Sequence, residues 1–219
     1  FRDMRDAQDL SLASRPRPRH AKAVTAFDDP KLASLGWSAH FADQIGPDDA
    51  GLIPLRIATV HRARMGAVGT GGPTRLSLPI KLNTADYAVG DWVLAEPETH
   101  LVTRRLDRRS LLQRRTEGAK FQQLIAANVD TLFIVTSCND DFNPARLERY
   151  LALCNEAGTT PVIVLTKADK VSTDERDATI EQVKAALARH PAAYPELVVT
   201  SSEKGDGIET LRAIIATLE

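Results

Sequence analysis

The polar run Thr166-Lys167-Ala168-Asp169 follows an apolar stretch at 161–165 that is typical of a buried strand. An ionised aspartate only accepts hydrogen bonds, so Asp169 can take both adjacent donors of a guanine base, N1–H and the N2 amino group. Adenine lacks this pair of donors. The stem of Lys167 can cover the face of the base, and Thr166 can bond the base edge or brace a neighbouring loop. The alternative is a strand that ends in an ordinary polar turn.

A second polar run, at 201–207, follows the next apolar stretch, Leu197-Val198-Val199-Thr200. Gly205 and Gly207 suit a tight turn into a helix. GTP-binding proteins place a Ser-Ser or Ser-Ala turn here, with a backbone N–H that contacts the guanine oxygen, although a simple strand-to-helix loop is the alternative. Ligands bind at the carboxyl ends of strands in open α/β sheets. We therefore predict nucleotide-binding residues at Thr166, Lys167, Asp169, Ser201 and Ser202.

The phosphate-binding half of a GTP site has no counterpart in these 219 residues. No Gly-x-x-x-x-Gly-Lys-Ser/Thr loop occurs, and no Asp-x-x-Gly magnesium element lies in a suitable place. The glycine-rich run at 66–73 lacks the Lys-Ser/Thr pair and lies among strand signals, so it predicts a hairpin loop. Guanine elements without a preceding phosphate loop indicate a circularly permuted order. We predict no catalytic residue and no metal-binding residue.

Residues 32–170 resemble the ribosome-small-subunit-dependent GTPase A family, also called RsgA or YjeQ. The matching segments are Leu35-Gly36-Trp37, Gly90-Asp91-Trp92-Val93, Arg108-Arg109-Ser110-Leu111-Leu112-Gln113-Arg114, Ile125-Ala126-Ala127-Asn128-Val129-Asp130 and Asp141-Phe142-Asn143-Pro144-Ala145-Arg146-Leu147-Glu148-Arg149-Tyr150-Leu151. The tail at 195–219 also resembles the EngB/YihA ribosome-assembly GTPases, above all in its Thr-Ser-Ser-Glu-Lys-Gly-Asp-Gly-Ile run.

This resemblance implies a fold, ligands and a partner. It implies an OB-fold ahead of a permuted GTPase domain, GTP or GDP as ligand, and the small ribosomal subunit with its rRNA as partner. The family binds Mg²⁺ with its phosphate loop and zinc with a C-terminal domain, so we expect either ion only together with those missing parts. The implied function is a GTPase in late small-subunit maturation that docks on rRNA through its OB-fold. The alternative is a non-catalytic RNA- or ribosome-binding module with a truncated or vestigial GTPase half.

The pattern of strands and helices divides the chain into three predicted parts. Short strands with regularly spaced turn signals favour a small closed β-barrel, and the resemblance selects an OB-fold over an SH3-like barrel. The later β-α-β-α-β-α pattern predicts a partial doubly wound, P-loop-GTPase-like α/β sheet in circularly permuted order. Three strands alone leave an apolar sheet edge exposed. The parts are an N-terminal arm with a short helix (1–50), the barrel with a basic linker (51–117) and the partial GTPase domain (118–219).

Helix start and stop signals are clear at several points. A short helix is predicted from Pro30 to Gly36. The next begins after Asn143 as N-cap and ends before Gly158. Further helices are predicted over 174–190 and from 208 onward.

A basic strip adjoins the predicted barrel. Its arginines could bind the phosphate backbone of RNA, because a guanidinium forks onto phosphates and stacks on exposed bases. The alternative is a solubilising linker between two domains. The predicted RNA-binding residues are Arg104, Arg105, Arg108, Arg109, Arg114 and Arg115.

Composition is that of an ordinary globular protein. The formal net charge is −1, so overall charge does not indicate a nucleic-acid partner. Cys138 and Cys154 are too few for a disulfide scaffold and lack metal-ligand spacing. The sequence shows no signal peptide and no apolar run near the roughly eighteen residues that a membrane span needs. We expect a cytoplasmic, monomeric protein that does not enter the membrane.

Overall fold

A computed structural model describes residues 29–114, 123–189 and 196–218. The N-terminal arm before Asp29, including its basic run at 15–20, lies outside the described residues. Two short helices come first, α1 (Pro30–Ser34) and α2 (Ala39–Ala42). Helix α1 starts where predicted, with the Asp29 side chain accepting from the Lys31 amide, and it ends two residues before Gly36.

Five strands then form an antiparallel sheet in the order β3-β2-β1-β4-β5. A parallel bridge between Ser77 and Leu101 links the ends of the sheet beyond β3 and β5, which is consistent with a barrel. The buried face carries aliphatic side chains such as Leu55, Ile57 and Val93. The strands are β1 (Ile53–His61), β2 (Arg64–Gly69), β3 (Gly72–Leu76), β4 (Trp92–Ala95) and β5 (Val102–Arg105).

The glycine-rich run at 66–73 forms a hairpin, as predicted, but most of it is strand rather than loop. Only residues 70 and 71 lie between β2 and β3, and Gly69 pairs with Gly72 across the turn. Gly72 has a φ of 94°, which glycine adopts at little cost. A Cβ on Gly69 would lie 2.5 Å from the Leu55 side chain, so the tight hairpin packs directly on the core.

An aromatic cluster attaches the N-terminal helices to the barrel. Leu32 and Phe41, from α1 and α2, are fully buried against Trp92 and Leu94 of β4 and against Leu106. Full burial of one such side chain stabilises a fold by about 1.5–3 kcal/mol. These helices therefore belong to the packed body of the barrel.

A two-stranded hairpin spans the predicted boundary, after residue 117, between the basic linker and the partial GTPase domain. Strands β6 (Leu111–Arg114) and β7 (Gln123–Ala127) pair antiparallel. The hairpin contacts the barrel through a bridge between Val89 and Ala126. Neither strand was predicted, because the region of β6 was interpreted by its charge alone and residues 125–127 of β7 were used only for the family resemblance.

The last part of the chain alternates strands and helices as predicted. The three strands are parallel and lie in the order β10-β9-β8. Asn143 caps α3 by accepting from the Arg146 amide, and Gly158 ends it with a φ of 69°. The elements are β8 (Thr131–Ser137), α3 (Pro144–Ala157), β9 (Thr160–Thr166), α4 (Thr173–Leu187), β10 (Glu196–Val199) and α5 (Ile208–Ala216).

Strand β8 leaves an apolar edge, as expected. In the part of the chain that the structure describes, β8 pairs with β9 alone. Val135 on this strand is 63% exposed, and the nearby Tyr150 of α3 is also exposed. Among the described residues, no helix is both long enough and apolar enough to cross a membrane.

Candidate functional site

The two predicted guanine elements lie side by side at one edge of the parallel sheet. Strands β9 and β10 pair in parallel, with Leu165 opposite Val199, so the loops after them begin next to each other. The Thr200 amide donates to the Leu165 carbonyl at 2.7 Å. The Ala168 amide donates to the Thr200 carbonyl at 3.1 Å and fastens the first loop to the second. The fold thus brings the two motifs together.

Asp169 is held in a fixed orientation by the second loop. Its side chain is 6% exposed, and its Oδ1 accepts a 2.7 Å hydrogen bond from the hydroxyl of Ser201, which is itself fully buried. This hydrogen bond is the main cause that lowers the pKa of Asp169 to about 2. The carboxylate is therefore ionised at neutral pH, as an acceptor of two base donors must be.

The second oxygen of Asp169 is positioned differently. Oδ2 is buried, and among the described residues no donor makes a well-aligned hydrogen bond to it. Lys170 Nζ lies 3.1 Å from this oxygen, at ion-pair distance. A buried carboxylate oxygen with spare acceptor capacity is costly unless a donor can reach it. Guanine would bring such donors.

Lys167 starts the loop after β9 with an unusual backbone conformation. Its φ is 60°, in the left-handed region that residues other than glycine seldom adopt. Its ammonium contacts Asp141 Oδ2 at 3.0 Å, and this hydrogen bond lowers the pKa of Asp141. Thr166 donates its hydroxyl to the Thr136 carbonyl at 3.0 Å, so it braces β9 against β8. This contact is with a strand and not with a loop, and a contact of Thr166 with the edge of a base stays a prediction.

The second loop is a tight turn built on two glycines. The Ser201 amide donates to the Asp206 carbonyl at 3.0 Å, and the Gly205 amide donates to the Ser201 carbonyl at 2.8 Å. Gly207 has a φ of 69°, and a Cβ there would lie 2.1 Å from the Val199 carbonyl oxygen. Ser202 is exposed at the outer side of this turn.

Three charged residues of the site were missed by the sequence analysis. Asp141 holds Lys167, and Glu203 accepts from Lys170 at 2.6 Å. The bond to Glu203 is the main cause that raises the pKa of Lys170. Asp141 begins the segment 141–151, which was used only for the family resemblance. Lys170 directly follows Asp169, and Glu203 directly follows Ser202. Proximity in sequence to the two motifs was the one signal that could have found the last pair.

Most of the described arginines of the basic strip are bonded to other groups of the protein. Arg108 forks onto Asp91 with distances of 2.6 and 2.7 Å, and the Asp91 side chain is fully buried. Arg104 makes the same kind of fork with Asp49, at 2.8 and 2.6 Å, which lowers the pKa of Asp49. Arg105 donates to the Asp86 carbonyl at 2.5 Å. These three guanidinium groups fasten loops to the barrel.

The remaining arginines of the strip lie nearer the hairpin. Arg109 pairs with Asp130 at 2.6 Å, and Arg114 donates to Gln123 at 2.9 Å. Arg115 lies outside the described residues. The predicted role of the strip in RNA binding stays a prediction, but its geometry shows that most of these side chains have structural partners.

Two of the family-like segments meet at a joint between barrel and hairpin. Asn128 has a φ of 57° and is buried. Its side chain donates to the Gly90 carbonyl at 2.9 Å and accepts from the Arg109 amide at 2.8 Å. A Cβ on Gly90 would lie 2.1 Å from the Ala127 carbonyl oxygen. The Gly-Asp-Trp and Ala-Ala-Asn segments are therefore complementary halves of one contact.

Metal-binding side chains do not cluster in the described residues. Within the ranges 29–114, 123–189 and 196–218, no group of three or more His, Cys, Asp or Glu side chains could hold an ion. Cys138 and Cys154 are free and buried, and burial raises the pKa of each thiol.

The chain is similar to known GTPases. The sequence model of the RsgA GTPase family matches residues 105–218, just over half of the chain. The small ribosomal subunit biogenesis GTPase RsgA of Mesorhizobium japonicum is 60% identical over 171 residues, which are 78% of this chain and 48% of that protein. The chain thus spans about half the length of this curated relative.

A second relative matches a shorter part of the chain. The probable GTP-binding protein EngB of Cereibacter sphaeroides is 62% identical over 71 residues, which are 32% of this chain and 33% of that protein. Among solved structures, YloQ, described as a circularly permuted GTPase, is similar in fold with a TM-score of 0.51. That similarity covers 79% of this chain and 58% of YloQ, at 18% sequence identity.

Proposed function

Because the chain belongs to the RsgA GTPase family, we propose that it recognises guanine nucleotides as part of a GTPase that matures the small ribosomal subunit. The relative from Mesorhizobium japonicum is named for small ribosomal subunit biogenesis. Within such a GTPase, this chain would supply the recognition of the guanine base.

The observation that carries the proposal is the state of Asp169. Its carboxylate is ionised and fixed by Ser201, and its Oδ2 is buried with acceptor capacity to spare. Two N–H donors at the spacing of guanine N1 and N2 satisfy such a carboxylate, and adenine cannot supply them. Lys167, whose ammonium is tied to Asp141, would lay its stem along the base.

Backbone amides of the second loop would complete base recognition. Ser201 is committed to Asp169, so its role is to orient the carboxylate. Ser202 is exposed on the same turn, and we assign its backbone N–H to the guanine oxygen. The five predicted nucleotide-binding residues thus divide into Asp169, Lys167 and Ser202 as base contacts and Thr166 and Ser201 as supports.

Phosphate and metal chemistry are not assigned to residues of this chain. The sequence contains no Gly-x-x-x-x-Gly-Lys-Ser/Thr run, and the described residues contain no cluster of metal-binding side chains. The described residues therefore do not fit a Mg²⁺ or a zinc ion. GTP hydrolysis is proposed for the complete protein of this family.

The barrel is proposed to be the OB-fold that docks on rRNA. Its five antiparallel strands and the bridge that links the sheet ends are consistent with that fold, which commonly binds nucleic acid. Arg104 and Arg108, which bond to Asp49 and Asp91, would hold the docking surface in a fixed conformation. Arg109 and Arg114 are exposed residues and remain proposed RNA contacts. The small-subunit partner places the proposed activity in the cytoplasm, and we propose a monomer.

A calorimetric titration of the chain with GDP and ADP tests base recognition. We expect GDP to bind more tightly than ADP, and Asp169→Ala to remove that preference. Asp174→Ala, at the exposed start of α4, is the matched control and should bind as the unchanged chain does. Equal affinity for GDP and ADP would refute the proposal. Co-sedimentation with isolated small subunits tests docking, and binding there without any GDP affinity would favour a non-catalytic ribosome-binding module.

A further inference from the structure

The ammonium of Lys170 lies between two carboxylates at the mouth of the guanine-recognition loops. Its Nζ is 3.1 Å from Asp169 Oδ2 and 2.6 Å from Glu203 Oε2. The side chains of Lys170 and Glu203 are more than half exposed, whereas that of Asp169 is almost fully buried. The lysine is therefore the movable partner, and the aspartate is the fixed one.

The position of Lys170 matters because of which oxygen it approaches. Asp169 Oδ1 is occupied by the Ser201 hydroxyl. Oδ2 is the oxygen left for a second donor, yet it has almost no accessible surface. A base donor can reach Oδ2 only after a covering group moves. An exposed lysine with four rotatable bonds, already shared with a second carboxylate, is the group that can move at low cost.

We propose that Lys170 is a displaceable cover on the guanine-reading carboxylate, and that Glu203 receives its ammonium when a guanine base binds to Asp169. This inference rests on the proposed guanine recognition. It adds two positioning residues, Lys170 and Glu203, and their competition with the base for Asp169 sets the affinity of the site for guanine. Lys170 and the base donors compete for one oxygen, while Glu203 competes with Asp169 for the lysine.

This competition predicts effects of opposite sign for the two partners. Lys170→Met removes the competing cation and should tighten guanine binding. Glu203→Gln leaves Lys170 with Asp169 alone and should weaken it. Each effect should be about two- to fivefold, the range expected for an exposed ion pair. The double variant should bind like Lys170→Met, because Glu203 acts only through the lysine.

The test is a titration of each variant with guanosine, followed by chemical-shift changes in NMR spectra. Guanosine is neutral, so contacts of lysine with phosphate cannot contribute. The matched controls are Lys184→Met and Glu181→Gln, which break a similarly exposed pair on α4. Added salt screens the Lys170 pair, so it should tighten guanosine binding to the unchanged chain and have little effect on Lys170→Met.

The outcomes separate this inference from the function on which it rests. Opposite shifts for the two single variants, with unchanged controls, support the displaceable cover. Weaker or unchanged binding in Lys170→Met overturns it, because the lysine would then support the loop or contact the base. Failure of every variant and of the unchanged chain to bind guanosine or GDP would instead overturn the proposed guanine recognition itself.

Discussion

Replacement of Arg108 by methionine should destabilise the protein severely. The Asp91 side chain is fully buried and Arg108 is 14% exposed, and their two contacts are 2.6 and 2.7 Å long. Without Arg108, the described residues leave Asp91 with the Ala88 amide, at 2.8 Å, as its remaining charge-stabilising donor. Removal of one partner from a buried pair costs about 3–5 kcal/mol because an uncompensated charge stays behind. That is a large share of the typical 5–15 kcal/mol of total stability.

Urea unfolding of each variant measures this loss. Arg212→Met is the matched control, because Arg212 pairs with Glu209 on the exposed face of α5 and its side chain is 71% exposed. The free energy of unfolding of this control should fall by no more than about 1 kcal/mol. The double variant Asp91→Asn with Arg108→Met should recover part of the loss, since no charge then remains buried. A folded Arg108→Met protein with unchanged stability and reduced affinity for small-subunit rRNA would refute this reasoning and make Arg108 an RNA contact.

Three further predictions concern the site and the core. Gly207→Ala should abolish the GDP preference in titrations and lower the unfolding midpoint, because the new Cβ would lie 2.1 Å from the Val199 carbonyl oxygen. Asp169 has its pKa lowered from 3.8 to about 2, so its stabilising contribution is full above pH ~4 and lost as pH falls towards 2. The unfolding free energies of the unchanged chain and Asp169→Asn should therefore converge over that range. Cys138 and Cys154, with thiol pKa values raised by burial, should react with a thiol reagent in the folded protein far more slowly than in urea.

The two candidate guanine-recognition motifs could be located in the sequence because each of them is a short local pattern. A buried strand followed by Thr-Lys-x-Asp, and a second followed by Ser-Ser, are short signals that a parallel sheet must bring together. The cap residues Asn143 and Gly158 likewise act within one turn of the helix ends that they define. At both ends of this helix, the interaction that fixes the structure lies within a few residues of the pattern.

The partners of the arginines in the basic strip could not be predicted from the sequence. Charge and position next to a barrel favoured a surface for RNA, but Arg104 and Arg108 pair with Asp49 and Asp91, which lie 55 and 17 residues away in sequence. Nothing in a single sequence tells a solvated arginine from one that forks onto a buried aspartate. The pairing of β6 with β7 could not be predicted either, because neither short strand shows a regular alternation of apolar and polar residues.

The measurement that tests the central claim most directly is base selectivity in Asp169→Asn. The unchanged chain should prefer GDP to xanthosine diphosphate, because the carboxylate needs the donor N2 amino group. In the variant, the amide can donate to the C2 oxygen of xanthine, so the preference should reverse. Unchanged preference for GDP in a folded Asp169→Asn protein would contradict the assignment of Asp169 as the guanine-reading residue.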